Sequence, residues 1–497
     1  MRQSAILMHI TSLPGPYGIG TMGKQAFAFV DFLKKAGQQC WQILPLNPTG
    51  YGDSPYQSCS SFAGNHYLID LDLLIGEGLL RQEEVDAICW CDKEEKVNYG
   101  LLYNHRLAVL RLAYGRFEAD SAFDDFCREN ADWLPDFALY MALKDREQGK
   151  AWYQWEDGLK RRDSQAIWEA RQELKEDIRF YSFVQFLFYR QWNALRDYAH
   201  ENGVSIIGDV PIYVPYDSVD VWSSPECFQL DEMMVPTAVA GCPPDDFCDD
   251  GQLWGNPLYR WETMEKDGYS WWLRRLAAAG KMYDTVRLDH FRGFEAYWSV
   301  PYGDPTAKYG KWVKGPSMNF MNAIRTKLPK LSVIAEDLGF LTQEVLDMRD
   351  TAGFPGMKIL SFAFYAEENS EYLPHLYPQN CVCYPGTHDN ATMREWFDTT
   401  EKKVVDYAKS YMHLTEEEGL VWGVIRTAFA SVANLCVIPM QDYLDLGGVA
   451  RMNNPGTLSD VNWTWRVHAG FTDDKLAKRI YDMTKLYGRL GDKTETP

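Results

Sequence analysis

Apolar and polar positions along the chain fall into two patterns. Short apolar runs, most of them stopped by a proline or a charged residue, occur at 4–10, 40–44, 204–210, 284–289, 331–336, 356–362, 380–384 and 432–438. Runs of that length between breakers predict buried strands. In the segments between them, apolar residues recur at helical spacing. The 23–36 stretch is the clearest case, with Phe27, Val30, Phe32 and Leu33 on one face and Gly37 as the stop. A strand–helix–strand opening predicts a parallel sheet. Eight strands separated by helical or inserted segments predict a (β/α)8 TIM barrel.

Two stretches interrupt that rhythm. Residues 71–200 read as mostly helical, with Phe180, Val184, Leu187 and Phe188 forming a core stripe, and predict a helical insertion subdomain. Residues 211–283 predict a second insertion, whose Pro-, Gly- and Asp-rich run 243–257 reads as a lid loop carrying Phe247 and Trp254. Its acidic residues lack the alternation and terminal Glu of a calcium loop. The polar stretch 47–57 is long for an unstructured connection, and such loops are often functional. Its Tyr51 and Tyr56 suit stacking on a sugar face and turn filling equally well. Length alone suggests about three domains. A barrel with insertions accommodates all 497 residues as one catalytic unit, 1–497.

Composition narrows the partners. The formal net charge is −20, which excludes nucleic acid and anionic membrane surfaces as binding partners. No apolar run approaches the length of a membrane span. The 11 cysteines include no Cys-x-x-Cys pair, and the first twenty residues lack a secretory-signal pattern. The expectation is a reducing, cytoplasmic setting. With 18 Trp and 29 Tyr, the chain is well supplied with flat apolar faces for a neutral ligand.

Candidate chemistry concentrates at the strand ends, where a barrel of this type places its active site. In 285–289, Thr285, Arg287 and Asp289 share one strand face and Val286 and Leu288 the other. An arginine beside an aspartate favours the carboxylate and is expected to lower its pKa. The same pair is also compatible with a purely structural role. Glu336 ends a second apolar strand and Asp389 follows a third, with His388 beside it. Gly386 and Pro385 permit a kink that lets both His388 and Asp389 face one site. Asp209 ends another strand as either a site residue or a turn former. Glycoside chemistry with retention needs one carboxylate as nucleophile and one carboxylic acid as proton donor. Asp289 fits the first role. Glu336, with an apolar approach and other carboxylates opposite, fits the second. A metal cluster of Asp289, His290, Glu336, His388 and Asp389 is the rival reading, weakened by the absence of a His pair at ligand spacing.

At these residues the chain resembles the 4-α-glucanotransferases of glycoside hydrolase family 77, also called amylomaltases or disproportionating enzymes, in the α-amylase clan. The resemblance rests on Arg287-Leu288-Asp289-His290-Phe291-Arg292-Gly293, Ala335-Glu336-Asp337-Leu338-Gly339 and Thr387-His388-Asp389-Asn390. It extends nearly end to end through the 48–56, 208–214, 251–257 and 462–466 motifs. It implies Asp289 as nucleophile, Glu336 as acid/base and Asp389 as transition-state stabiliser. It implies glucan contacts from Arg287, His388, Asp209, Tyr56, Trp254, Asn256 and Asn462, and a secondary glucan site at Tyr51. It further implies an α-1,4-glucan donor, a sugar acceptor such as a maltooligosaccharide, amylose or glucose, and no metal or organic cofactor. His66 and Ala391 depart from the family pattern, which has proline and often an acidic residue at those places. The family lacks the C-terminal β-sandwich of its clan, and the roughly sixty residues after the last strand are too few for one. A hydrolase of the same clan and a non-catalytic glucan-binding barrel are the alternatives, since hydrolysis and transfer share every catalytic residue.

Overall fold

The computed structural model describes residues 2–50, 52–244, 249–366 and 370–491. Its strands, in chain order, are β1 (Gln3–Leu7), β2 (Cys40–Gln42), β3 (Ser205–Val210), β4 (Ala238–Cys242), β5 (Gln252–Pro257) and β6 (Thr285–Leu288). There follow β7 (Ala296–Pro301), β8 (Lys311–Lys314), β9 (Ser332–Ala335), β10 (Gly356–Ile359), β11 (Cys381–Tyr384) and β12 (Leu435–Pro439).

Eight of these form one sheet in the order β10-β11-β12-β1-β2-β3-β6-β9, with every ladder parallel. They are the eight apolar runs that the sequence pattern picks out. The remaining seam, between β9 and β10, is joined by the Ala335 N–H to the Pro355 carbonyl at 2.9 Å. Asp337, just past β9, completes the join: its carboxylate accepts the Met357 N–H at 2.7 Å and pairs with Arg349. The sheet is thus a nearly closed (β/α)8 barrel. Helices Lys24–Lys35, Ser270–Met282, Ser317–Lys327, Gln343–Ala352 and Leu420–Ala430 lie between consecutive strands, as the connections of a parallel sheet require.

The barrel's upper interior is polar. β3 and β6 pair so that Asp209 lies opposite Arg287. Lower down, the Tyr384 hydroxyl donates to Gln42 Oε1 at 2.9 Å, so these buried polar groups are satisfied by one another.

The 71–200 stretch is helical, as its periodicity indicates. It includes Tyr99–Tyr114, Ser121–Glu129, Leu134–Arg146 and Ser164–Glu173, and runs into the long helix Lys175–Glu201. Asn98, Asp120 and Asp163 cap three of these by accepting N–H groups of the first turn. Two glutamines of the long helix grip the loop after β2. Gln185 exchanges two hydrogen bonds with the Gly64 backbone, at 2.7 and 3.0 Å. Gln191 does the same with Asp70, at 2.7 and 3.1 Å. The insertion therefore holds the loop that carries Tyr56.

The region read as a lid loop is more ordered than its composition suggests. β5 lies inside it and pairs antiparallel with β4, which pairs with β7, which pairs with β8. The four-stranded antiparallel sheet stands beside the barrel mouth. Phe247, expected in the lid, lies outside the described residues, as does Tyr51.

The chain's end closes the molecule. Helix Asp474–Leu486, capped by Asp473, packs on helix Lys24–Lys35. Beyond it, the fully buried Arg489 donates to the carbonyls of Gln3, Phe429, Ser431 and Ala433 at 2.9–3.0 Å. Among the described residues no helix is long and apolar enough to cross a membrane.

Gly208, one residue before Asp209, faces the Tyr283 ring so closely that any Cβ there would overlap it. Gly208→Ala is expected to cost about 1–3 kcal/mol through overpacking and to lower activity by displacing Asp209. Thermal denaturation and a transfer assay on the same preparation check both effects.

Candidate active site

The site is built on strand ends. Arg287 points into the barrel from β6, with a side chain 3% exposed. One of its nitrogens, Nη1, donates to both Asp209 Oδ2 at 2.7 Å and Asp289 Oδ1 at 3.0 Å. Asp209 is fully buried beneath it, whereas the Asp289 side chain is 28% exposed and so faces the cleft. A cation taken from water at this depth is tolerated because both carboxylates compensate it.

Tyr56 reaches in from the loop after β2. Its hydroxyl lies 2.8 Å from Asp209 Oδ2 and 2.9 Å from His388 Nε2, and its ring stacks on the His388 ring at 5.3 Å and 13°. His388 Nε2 also sits 3.3 Å from Asp389 Oδ2. The kink expected at 385–390 is present: Asn390 Oδ1 accepts the Thr387 N–H at 2.8 Å and its hydroxyl at 2.9 Å. Adjacent His388 and Asp389 can therefore serve the same network. One connected set of hydrogen bonds thus contains Asp289, Arg287, Asp209, Tyr56, His388 and Asp389.

Glu336 enters from β9 and is held differently. Its Oε2 accepts the His290 N–H at 2.6 Å and its Oε1 accepts the Leu338 N–H at 3.2 Å. His290 can point its N–H there because it takes a left-handed conformation, φ 46° and ψ 49°, directly after Asp289. A non-glycine residue in that region is uncommon and costs energy, which is a frequent feature of working sites. The ring of His290 is buried against Trp254, edge to face at 4.8 Å. Burial, then the charge of Arg292, pushes His290 down to about 4, so it is neutral.

The electrostatics separate the three carboxyl groups. Burial pushes Glu336 up to about 8, with Arg287 opposing and Asp289 adding to the rise. Asp289 is itself raised, to about 6: burial outweighs the attraction of Arg287, and Asp209 and Asp389 add to it. This corrects the expectation that Arg287 sets a lowered value. The arginine pulls in the expected direction but loses to burial among like charges. Asp389 goes the other way. Burial raises it, but His388, the amide of Asn453 and the charge of Arg287 hold it well below the usual carboxylate range.

The other candidates take varied places. Trp254 lies between His290 and Tyr213 at the barrel mouth. Asn256 exchanges hydrogen bonds of 3.3 and 3.4 Å with the Gln57 amide, tying β5 to the residue after Tyr56. Asn462 is not brought into the carboxylate network. Its Oδ1 accepts the Asn454 N–H at 3.1 Å and its amide donates to Thr457, so its polar atoms hold a turn.

That turn carries two residues the sequence reading missed. Asn453 Nδ2 donates to Asp389 Oδ1 at 2.7 Å, and Arg451 donates to the Asp389 carbonyl at 3.1 Å. Trp463, itself left-handed at φ 66°, packs against both Tyr56 and His388. Asn453 follows β12, the eighth barrel strand, and the rule that every strand's following loop faces the mouth points to it. Among the described residues, no group of three or more His, Cys, Asp or Glu side chains is arranged to hold a metal ion. His290, counted in the rival metal set, faces Trp254.

Carboxyl groups held at opposite protonation states over the mouth of a (β/α)8 barrel belong to the class of barrel enzymes that work on glycosidic bonds. Comparison with known proteins narrows this. The profile of glycoside hydrolase family 77, described as 4-alpha-glucanotransferase, matches residues 8–472. The 4-alpha-glucanotransferase of Clostridium butyricum is 50% identical over 486 residues, covering 97% of this chain and all of that protein. That of Thermus thermophilus is 45% identical over 502 residues, covering 98% of this chain and 99% of its own. The amylomaltase of Streptococcus agalactiae, solved in complex with acarbose, superposes with a TM-score of 0.96 at 42% identity, covering 98% of this chain and all of that one. The chain belongs to the 4-alpha-glucanotransferase family.

Between about pH 6 and pH 8 Asp289 is ionised while Glu336 keeps its proton. Activity is therefore expected to rise as Asp289 loses its proton and to fall as Glu336 loses its own. The profile of kcat/KM against pH should be a bell with limbs near those values, which belong to the coupled pair. A profile flat from pH 5 to pH 9 contradicts the assignment.

Proposed function

We propose that Asp289 attacks the anomeric carbon of an α-1,4-glucan while Glu336 protonates the departing 4-oxygen. The covalent glucosyl–enzyme is then taken by the 4-hydroxyl of a second sugar, with Glu336, now ionised, accepting its proton. The outcome is a 4-α-glucanotransferase that disproportionates maltooligosaccharides and amylose with retention of configuration. The observation that carries the reading is the contrast between Asp289, gripped by Arg287, and Glu336, which meets only backbone N–H groups and is raised to about 8. One is prepared to be an anion and the other to be an acid.

Asp389 is the stabiliser of the positive charge that develops on the sugar. It stays ionised in every state of the cycle, because His388, Asn453 and Arg287 favour the anion. Arg287, His388, Asp209 and Tyr56 support the glucose at the cleavage point. Trp254 covers the acceptor side, and Asn256 holds the β5 segment to the Tyr56 loop. Asn462 acts through the turn that places Asn453. Excluding bulk water while admitting a sugar hydroxyl favours transfer over hydrolysis. The named activity of relatives 45–50% identical over nearly the whole chain supports this reading. The acarbose complex of the Streptococcus agalactiae amylomaltase supports a glucan-like occupant. A reducing, cytoplasmic setting suits the ten described cysteines, none of which is in a disulfide.

Pure protein supplied with maltotriose is expected to give glucose together with maltopentaose and longer chains, resolved by chromatography. Glucose and maltose alone identify a hydrolase and overturn the transfer reading. Asp289→Asn is expected to lower turnover on the order of 10⁴-fold, as loss of a nucleophile does, without a change in melting behaviour. Activity within tenfold of the parent removes Asp289 from the role of nucleophile.

A further inference from the structure

The His388 ring has two sides, and the reaction read above uses one. Nε2 faces Tyr56 and Asp389, at 2.9 and 3.3 Å. Nδ1 is buried on the other side and has no protein partner. A buried ring nitrogen without a partner is unfavourable, and such groups in proteins are usually satisfied by ordered water. Behind the ring lies a cavity of about 20 Å³ for a water's centre, lined by His9, Thr392, Gln441, Asp442 and His388 itself. One water needs roughly 10–15 Å³ by that measure.

We propose that a water held between His9, Asp442 and Nδ1 of His388 fixes the tautomer of His388, making His9 and Asp442 positioning residues for the His388–Asp389 pair. The donors and acceptors around the cavity complement a water. The Leu44 N–H donates to His9 Nδ1 at 3.2 Å, so neutral His9 carries its proton on Nε2. Burial pushes His9 down to about 3, which keeps it neutral. Asp442 Oδ1 accepts the Met393 N–H at 2.8 Å, and burial pushes this carboxyl up to about 7, so its second oxygen can accept from a water or donate to it. The water accepts from His9 Nε2–H, donates to His388 Nδ1 and meets the second oxygen of Asp442 with its remaining capacity.

With Nδ1 occupied as an acceptor, His388 keeps its ring proton on Nε2. It then points at the Tyr56 oxygen and the Asp389 carboxylate, while the Tyr56 proton goes to Asp209 Oδ2 at 2.8 Å. In the other tautomer a lone pair on Nε2 would face the Asp389 carboxylate, and the two would repel. The water thereby holds Asp389 in place from behind the ring. The kinetic consequence rests on the reading of Asp389 as stabiliser; the tautomer itself does not.

The test uses the full-length protein. A crystal structure at high resolution is expected to show a water within hydrogen-bond distance of His388 Nδ1, and nitrogen NMR of histidine-labelled protein to show the Nε2–H tautomer. His9→Phe, which removes the donor, is expected to shift His388 toward the Nδ1–H form and to lower kcat about tenfold, with the KM for maltotriose nearly unchanged. His9→Gln, whose amide can replace the donor, is expected to recover most of that loss. Absence of the water in the parent structure overturns the proposal, as does a His9→Phe protein with an unchanged His388 tautomer. A tautomer shift without a change in kcat leaves the water relay standing and removes Asp389 from its assigned role instead. If both His9 variants fail to fold, the parent crystal structure and spectrum decide alone.

Discussion

One buried guanidinium organises the cleft. Arg287 is the positive charge shared by Asp209 below it and Asp289 above it, with Glu336 and Asp389 within electrostatic range. Such a group is costly to bury, and the carboxylates around it would be costlier without it. The β3–β6 register places Asp209 opposite Arg287, and strand alternation brings Asp289 up on the same face two residues later. The pairing of two strands therefore sets the protonation pattern of the site. Arg287 limits how far Asp289 rises, while Glu336, bound only by backbone N–H groups, rises further.

Segments outside the barrel strands bring further groups to that charge. Tyr56 has no strand of its own; its loop is gripped by Gln185 and Gln191 of the long helix and by Asn256 of β5. Trp463 closes the same corner from the far end of the chain. Its neighbours hold it there: the Val97 N–H donates to the Thr464 carbonyl at 2.7 Å, and Arg466 donates to the Gly15 carbonyl at 2.7 Å. The 462–466 motif thus pins the C-terminal region to the helical insertion and to the loop after β1. Its contribution to the site is made through Trp463, and through Asn462 bracing the turn behind Asn453, and not through the polar contacts its composition suggests.

The barrel was legible because its strands are buried on both faces and appear as unbroken apolar runs between breakers. The three carboxylates were legible because Asp289 and Glu336 end such runs and Asp389 sits in the short loop after a third. The antiparallel sheet was not. β4 and β5 are rich in Ala, Gly, Asn and Pro, and β4 finds its second partner in β7, more than fifty residues away. The elevation of Asp289 was also out of reach, since a sequence shows the neighbouring arginine but not the depth at which both are buried. Asn453 follows the eighth strand, yet nothing in Arg451-Met452-Asn453-Asn454 marks it chemically. Only the fold brings it to Asp389.

In the proposed reaction Asp289 becomes covalently attached to the sugar while Glu336 governs both proton transfers. Glu336→Gln supplied with an α-glucosyl fluoride tests this most directly. Fluoride leaves without an acid, whereas release from the enzyme still requires the base. A glucosyl adduct is expected to accumulate on the intact protein and to map, after peptic digestion and mass spectrometry, to Asp289. An adduct on a different carboxylate, or steady turnover with no adduct at all, contradicts it.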